Sequence, residues 1–354
     1  MKKFLCAAMS AILLMTIITG CGSSGKTSGG YAKQISFFQW TEYTPQSVLD
    51  GFKKKYGITV KMTEYSSSEQ MLSKLKSGQL SQYDVAVPST YSIQPMINQN
   101  LIEKIDKASI PNLKNIDKSV LNKNFDKGNQ YTVPYMIAPC VLVVNTKKVT
   151  IPIKSFNDLL DPSLKSKVVV VDDERSITAV ALKALGYSIN DKTPGHLTEA
   201  LNWLNRFKPN IKVFDSDSPK TSLISGDCTV GYVWNGEASL AMQANHDLHV
   251  VWTKESDKSP IIEMDNLVLI KGTPHKREAE LFINYILDGR VSKQITAVYP
   301  YTNPNLAAHK LLGSSYLNNS AINIPSVRLA KAEYTDYLGD AVTLYDDVWT
   351  KFKS

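Results

Sequence analysis

Cysteine and histidine are both scarce in this sequence. Four cysteines and five histidines among 354 residues exclude a disulfide-stabilised scaffold, which needs a dense set of cysteine pairs. None of the histidines adjoins a nucleophile motif, and no serine lies in a G-x-S-x-G turn of the kind that carries a catalytic serine. We therefore predict that the chain is not an enzyme.

Metal and disulfide chemistry are also not indicated. His246 and His249 are three residues apart, but they fall where a helix is expected to end before a strand, so no metal site is predicted. Cys140 and Cys228 lie among apolar residues, which predicts buried free thiols.

The sequence has no large excess of one charge and no internal repeat. Its net charge is +7, from 40 basic and 33 acidic residues scattered along the chain, which does not indicate a nucleic-acid partner. The hydrophobic fraction of 43% is enough for a large core. Because a domain usually has about 150 residues, the length of the chain predicts two domains.

The longest apolar run lies at the N-terminus. Residues 4–19 carry no charge and follow two lysines, a run shorter than the roughly 20 residues of a membrane-spanning helix. This predicts a signal peptide over residues 1–20. It ends in Ile18-Thr19-Gly20-Cys21, which resembles a bacterial lipobox and predicts lipidation of Cys21. An ordinary signal peptide or a short anchor helix is the alternative.

Residues 21–30 are rich in glycine, serine, threonine and lysine, which predicts a flexible tether. The segment from Gly20 to Thr27 also matches the phosphate-loop pattern G-x-x-x-x-G-K-T. A phosphate loop needs a buried strand before it and a helix after it, and neither is predicted here. We therefore expect no nucleotide and no other cofactor.

The rest of the chain predicts alternating strands and helices. After a strand at 35–40, Thr44-Pro45 predicts the start of a helix that Gly57 ends. A strand at 58–62 follows, and Ser66 with Glu69 predicts a capping box for the next helix. A short strand at 83–87 completes the order of strand, helix, strand, helix, strand, which favours an α/β fold with a mainly parallel sheet covered by helices.

The second half of the sequence repeats this order. Apolar runs predict strands at 141–144, 168–171, 230–234, 248–252 and 267–270, with a helix at 197–207 and a long helical region at 276–298. Polar and aromatic residues follow several of these strands directly. Because ligands bind beyond the carboxyl ends of strands in open sheets, we predict a small-molecule cleft between two lobes.

Seven segments in order make the chain resemble the bacterial spermidine/putrescine-binding proteins, the extracytoplasmic receptors of polyamine ABC importers. The resemblance covers nearly the whole chain after residue 35. The segments are Trp40-Thr41-Glu42-Tyr43, Val87-Pro88-Ser89-Thr90-Tyr91, Val133-Pro134-Tyr135, Asp172-Asp173-x-Arg175, Trp234-Asn235-Gly236, Met264-Asp265 and Tyr301-x-x-Pro304-Asn305.

The resemblance implies a two-lobed fold of the type II periplasmic-binding-protein class. Each lobe would be a mixed, mainly parallel sheet flanked by helices, and the lobes would close on a ligand between them. We expect lobe 1 to contain residues 31–137 and 265–300, and lobe 2 to contain residues 138–264 and 301–354. A hinge is expected near Ile137-Ala138 and Met264-Asp265.

The family's ligand-binding positions transfer onto matching residues of this chain. The implied aromatic contacts are Trp40, Tyr43, Tyr91, Trp234 and Tyr301. The implied polar contacts are Thr41 and Ser89, and the implied ammonium-binding carboxylates are Asp173 and Asp265. Trp234 as a core residue and Asp173 as a helix cap are the structural alternatives.

Three positions depart from the family pattern. Ser176 stands where the family usually has glutamate, Glu263 where it has tryptophan, and Thr335 where spermidine-binding members have glutamine. One hypothesis is that Glu263 supplies the negative charge that Ser176 lacks, so that Glu263 also binds substrate. The alternative is that Glu263 faces solvent and that the cleft binds a less charged ligand.

The resemblance implies a substrate-binding lipoprotein that captures putrescine or spermidine and delivers it to a membrane permease and its ATPase. We expect a monomer on the outer face of the plasma membrane or in the periplasm, attached to the membrane by lipid on Cys21. The alternative function is a lipid-anchored sensor or receptor for another small amine or organic solute, because one fold serves many functions.

Overall fold

A computed structural model describes residues 29–324 and 331–354. The predicted signal peptide, Cys21 and most of the predicted tether lie outside the described residues. Within the described ranges, no helix is long and apolar enough to cross a membrane.

The strands are short and lie in two large sheets and one small pair. They are β1 (Gln34–Trp40), β2 (Thr59–Tyr65), β3 (Val85–Ala86), β4 (Ile102–Glu103), β5 (Thr132–Ile137), β6 (Cys140–Asn145), β7 (Val168–Val170), β8 (Ile211–Phe214), β9 (Val230–Trp234), β10 (Leu248–Val251), β11 (Ile261–Ile262), β12 (Met264–Ile270) and β13 (Glu333–Tyr334).

Helices connect and cover these strands. They are α1 (Gln46–Tyr56), α2 (Ser68–Lys74), α3 (Thr90–Asn98), α4 (Glu174–Leu185), α5 (Pro194–Phe207), α6 (Lys220–Ser225), α7 (Asn235–Ala244), α8 (Lys254–Lys258), α9 (Lys276–Ile286), α10 (Gly289–Val298), α11 (Leu306–His309), α12 (Ser314–Leu317) and α13 (Val342–Lys353).

The first sheet has the order β2-β1-β3-β12-β4, with β5 also paired to β12. The strands β1, β2 and β3 are parallel, and the order changes direction at β1. Such a switch point leaves a crevice beyond the carboxyl ends of the central strands. The chain segments that follow β1 and β3 border this crevice.

The second sheet has the order β10-β6-β9-β7-β8. Here β7 is parallel to both β8 and β9, which creates a second switch point at the carboxyl end of β7. Asp173 follows β7, and Trp234 ends β9. Both sheets therefore place polar and aromatic residues at equivalent ends of their central strands.

Three chain segments cross between the two sheets and lie side by side. The N–H of Ala138, between β5 and β6, donates to the carbonyl of Glu263, between β11 and β12, at 2.9 Å. The N–H of Ile137 donates to the carbonyl of Thr302 at 2.9 Å. Further along the third segment, Asn305 forms a bridge with Ile116, so residues near 305 also contact the part of the chain that forms the first sheet.

Antiparallel pairing is more frequent than the sequence pattern predicted. β12 is antiparallel to β3, β4 and β5, and β6 is antiparallel to β9 and β10. Both β6 and β12 enter their sheets directly from a crossing segment and not through a strand–helix–strand unit. The right-handed parallel connection that the local pattern favours therefore does not apply to them.

Both predicted helix starts are wrong in detail. Thr44 does not cap α1: its hydroxyl lies 2.7 Å from the Tyr135 hydroxyl, and Pro45 precedes the helix without a side-chain cap. Ser67, not Ser66, caps α2 by accepting from the N–H of Gln70 at 3.1 Å. The end of α1 is as predicted, since Gly57 adopts a left-handed φ of 73° that suits glycine.

The predicted helical region at 276–298 is two helices. The chain leaves α9 at Leu287, and Asp288 caps α10 by accepting from the N–H of Arg290 at 2.9 Å. Gly289 is required there because a Cβ would lie 2.9 Å from the Ala307 Cβ. The close approach of α10 to α11 at Gly289, which the local sequence pattern does not reveal, therefore accompanies the break between α9 and α10.

A continuous apolar core extends beneath both sheets. Phe37 of β1 and Phe52 of α1 each form an edge-to-face contact with Phe282 of α9 at 5.1 Å between ring centroids. Burying each such ring contributes roughly 1.5–3 kcal/mol to folding. Cys140 and Cys228 are buried free thiols, as predicted. This packing fixes the strands whose ends carry the site.

Candidate functional site

A cleft between the carboxyl ends of the two sheets brings most of the predicted site residues together. Its walls come from the ends of β1, β2 and β9, from the turns after β3 and β8, and from the crossing segments. The residues that line it are Trp40, Thr41, Tyr43, Tyr65, Ser66, Ser89, Ala138, Ser216, Asp217, Trp234, Glu263, Asp265 and Tyr301.

Asp265 is the buried carboxylate of the first sheet. Its two oxygens accept hydrogen bonds from the hydroxyls of Tyr43 and Ser89. Burial raises the pKa of Asp265, whereas these two hydrogen bonds lower it, and the result is a pKa of about 6. Asp265 therefore changes charge near pH 6.

Glu263 and Asp173 meet on the opposite side of the cleft through Ser176. Asp173 caps α4 by accepting from the N–H of Ser176 at 2.8 Å, so the structural alternative of a helix cap is correct for this residue. The Ser176 hydroxyl donates to Glu263 at 3.1 Å. Glu263 is only 3% exposed, which excludes the alternative in which it faces solvent.

All three carboxylates have a raised pKa. Burial is the main cause for each of them. Repulsion from Asp173 and Asp265 raises the pKa of Glu263 further above its ordinary value, and repulsion from Asp173 raises that of Asp265. A buried carboxylate without a positive partner is costly, so this cluster favours binding of a cation.

No basic side chain forms an ion pair with these three carboxylates within the described part of the chain. The guanidinium of Arg175 is close enough to lower the pKa of Asp173 and Glu263. Its donors are directed elsewhere, to the carbonyl of Asp336 at 3.0 Å and to Asn190 at 2.7 Å. The negative charge of the cleft is therefore only partly balanced.

Aromatic rings form the rest of the cleft wall. The ring of Tyr43 meets that of Tyr301 edge to face at 4.8 Å, and Trp40 packs on Tyr65 at 4.7 Å. The indole N–H of Trp234 donates to the carbonyl of Ser216 at 3.3 Å, which holds that ring at the end of β9. Aromatic faces attract organic cations and pack against methylene groups.

Tyr91 and Thr335 are not in the cleft wall. Tyr91 lies on α3, where its ring is 5.6 Å from the guanidinium of Arg175, and burial followed by the charge of Asp173 raises its pKa. Thr335 is fully buried beside β11 and β13, and its N–H donates to the carbonyl of Ile262 at 3.4 Å. Asp173 and Ser176 are also not among the lining residues; Ser176 is linked to the cleft by its hydrogen bond to Glu263, and Asp173 by its hydrogen bond from Ser176.

Five cleft residues were not predicted as site residues from the sequence, and one of them, Ala138, was expected only near the hinge. Tyr65 ends β2 as Trp40 ends β1, and Ser66 follows it, so the strand-end rule could have found both. Ser216 and Asp217 follow β8 closely, but β8 has only four residues and was not among the strands predicted from the sequence.

The chemistry of the cleft is that of a binding site for an organic cation. Within residues 29–324 and 331–354, no group of three His, Cys, Asp or Glu side chains could hold a metal ion. The phosphate-loop pattern at residues 20–27 lies outside the described residues.

Two mixed sheets joined by crossing segments, with a ligand cleft between them, define a two-lobed solute-binding protein. The model of the bacterial extracellular solute-binding protein family matches residues 47–316. The spermidine/putrescine-binding periplasmic protein of Salmonella typhimurium is 37% identical over 321 residues, which are 90% of this chain and 91% of that protein. The chain therefore belongs to the bacterial extracellular solute-binding proteins, and the resemblance predicted from its sequence is confirmed.

Solved structures agree with this assignment. A proposed spermidine/putrescine ABC transporter from Listeria monocytogenes has a TM-score of 0.86 and 28% identity, over 91% of this chain and 99% of that chain. The TpPotD lipoprotein of Treponema pallidum has a TM-score of 0.80 and 26% identity, over 90% of this chain and 99% of that chain. The predicted type II fold with two α/β lobes is confirmed.

Proposed function

We propose that this chain is the substrate-binding protein of an ABC importer and that it captures a polyamine, putrescine or spermidine, in the cleft between the two sheets. The observation that carries this proposal is the cluster of Asp173, Glu263 and Asp265, buried beside aromatic rings without a full set of positive partners. The names of the relatives support the same ligand class.

In this proposal the ligand's ammonium groups supply the missing positive charge. One ammonium binds Asp265, beside the hydroxyls of Tyr43 and Ser89. Another binds Glu263, which Ser176 links to Asp173. Charge-assisted hydrogen bonds of this kind are stronger than neutral ones, so they offset the cost of keeping the carboxylates buried.

The aromatic side chains are proposed to hold the carbon chain between the two ammonium groups. Trp40, Tyr43, Trp234 and Tyr301 line the cleft and offer faces to methylene groups and cations. Thr41 also lines the cleft and is proposed as a polar contact. Tyr91 and Thr335 are proposed to act indirectly, by shaping the acidic side of the cleft and the segment behind Glu263.

Ligand binding is proposed to close two lobes, with residues 31–137 and 265–300 in one and residues 138–264 and 301–354 in the other. Asn305 also bridges to Ile116 of the first lobe. A ligand bound to one lobe offers charge that the other lobe completes, which shifts the open–closed equilibrium. The hydrogen bond between Ala138 and Glu263 joins two crossing segments, where we place the hinge.

We also propose that the protein is a monomeric lipoprotein with its lipid on Cys21, facing the outside of the cell and passing its ligand to the permease and ATPase. The lipobox-like sequence supports this, as does the Treponema pallidum relative that is named a lipoprotein. A palmitate analogue should label the wild-type protein in cells but not a Cys21→Ala variant. Equal labelling of the two would reject lipidation at Cys21.

A thermal-shift screen tests the ligand class. Ligand at 100 times its Kd stabilises a protein by roughly 2.7 kcal/mol, so putrescine or spermidine should raise Tm by several degrees while amino acids, sugars and thiamine do not. Asp265→Asn should lose most of the shift, whereas Asp347→Asn, at an exposed position on α13, should keep it. No stabilisation by any amine would reject the proposal, and a response only to another amine would favour the alternative receptor function.

A further inference from the structure

One lysine links carboxylates from the two sides of the cleft. Lys220 begins α6, and its ammonium lies 2.6 Å from a carboxylate oxygen of Glu42 and 2.9 Å from one of Glu237. Glu42 follows β1, whereas Glu237 is in the first turn of α7. The Lys220 side chain is 18% exposed and that of Glu237 is 3% exposed. The Lys220–Glu237 pair is therefore largely removed from water, so its charges are weakly screened, whereas the Glu42 side chain is 39% exposed.

The Lys220 group lies next to the proposed ligand cleft. Tyr301 lines the cleft, and a Cβ on Gly236, the residue before Glu237, would lie 2.9 Å from the Tyr301 ring. Burial raises the pKa of Tyr301, and the charges of Glu237 and then Asp265 raise it further. Tyr301 thus lies within the field of both acidic groups: Asp265 lines the cleft, and Glu237 follows Gly236, which packs against the Tyr301 ring.

Glu42 reaches Lys220 through an unusual backbone conformation. Its φ is 51°, in the left-handed region that costs a non-glycine residue roughly 1 kcal/mol or more. The preceding residue, Thr41, is fixed by a hydrogen bond from its N–H to the carbonyl of Tyr65 at 3.1 Å. Such strain concentrates at ligand clamps, and here it accompanies a carboxylate that contacts the opposite side of the cleft.

We propose that Lys220 is a specificity-determining residue whose ammonium occupies the amine position between Glu42 and Glu237, so that the cleft favours a short diamine over a longer triamine. This inference rests on the proposed polyamine function. A ligand long enough to extend past Tyr301 to Glu42 and Glu237 would have to displace Lys220 from both carboxylates. The displaced lysine ammonium would then lack a partner. A diamine held by Asp265 and Glu263 leaves the lysine in place.

Calorimetry with putrescine and spermidine tests this proposal through the ratio of the two affinities. Removing the lysine charge in Lys220→Gln should raise the affinity for spermidine relative to putrescine about tenfold, because a third ammonium then gains charge-assisted hydrogen bonds. Adding Glu42→Gln to that variant should remove most of the gain. A matched control is Lys212→Gln, which breaks an exposed pair with Asp227 and should leave the ratio as in the wild type.

Each contrary outcome has a distinct meaning. Wild-type protein that binds neither amine would reject the proposed function itself. Wild-type protein that binds both, with an unchanged ratio in Lys220→Gln, would overturn only the role of Lys220, as would a gain that survives Glu42→Gln. A measurement without variants guards against misfolding: along linear diamines of four to eight carbons, wild-type affinity should fall with length, and a steady rise would overturn the proposal.

Discussion

The hydroxyl of Ser176 donates a hydrogen bond to Glu263 across 3.1 Å, joining two residues that are 87 positions apart in the sequence. Both depart from the pattern of the family that the chain resembles, one by losing a carboxylate and the other by gaining one. Their contact places the gained carboxylate beside the position of the lost one. This contact supports the hypothesis that Glu263, on a crossing segment, supplies the carboxylate that Ser176 lacks.

Glu263→Gln should weaken polyamine binding by about tenfold or more, because a hydrogen bond to a charged group contributes roughly 1.5–3 kcal/mol. The substitution keeps the size of the side chain and its ability to accept from Ser176. Calorimetry would measure the change. Glu199→Gln, at the surface of α5, provides the control and should bind as the wild type does. Unchanged affinity in Glu263→Gln would end the idea that Glu263 replaces the family's glutamate.

The same substitution should stabilise the protein in the absence of ligand. Burial and repulsion from Asp173 and Asp265 raise the pKa of Glu263. The charged form of Glu263 therefore lowers the stability of the folded protein. Removing one charge from the cluster should raise the ligand-free Tm by about 2 °C. Differential scanning calorimetry at pH 8 measures this, and a lower Tm would show that the carboxylate is instead well paired.

Polyamine affinity should depend on pH around the pKa of Asp265. That pKa is about 6, and a bound ammonium should lower it because it favours the charged carboxylate. Protonated Asp265 must therefore lose its proton on binding. Affinity should therefore fall as the pH decreases through 6. Titrations in buffers of different ionisation enthalpy should reveal proton release near pH 6.

Ligand-free stability should show the opposite trend. The folded-state pKa of Asp265 lies above its ordinary value of 3.8, so the folded state binds the proton more tightly than the unfolded state does. The stability that protonation of Asp265 contributes is present at low pH and is lost as the pH rises from about 4 to 6. Comparing Tm for the wild type and Asp265→Asn over this range isolates the contribution, since the variant should lack this pH dependence.

Local pattern predicted the strands that carry the site except β8, because apolar runs such as 230–234 are buried in almost any sheet that contains them. Trp40, Trp234 and Asp173 could be predicted from their positions at strand ends. Side-chain contacts between distant parts of the chain could not be predicted. Thr44 bonds Tyr135 instead of capping α1, and Lys220 joins Glu42 to Glu237, because each contact depends on how distant elements pack.

Tyr43→Phe should move the pH midpoint of polyamine binding upward. The Tyr43 hydroxyl donates to Asp265, and a hydrogen bond to a charged carboxylate lowers its pKa. Losing that bond should raise the pKa of Asp265, and thus the midpoint, by roughly half to one unit. The ring that meets Tyr301 at 4.8 Å is retained, so affinity at pH 8 should change only a few-fold.

Tyr56→Phe on α1 is the control. A midpoint that stays or moves lower would mean that the phenol does not stabilise the charged form of Asp265, and Ser89 would then be its main donor.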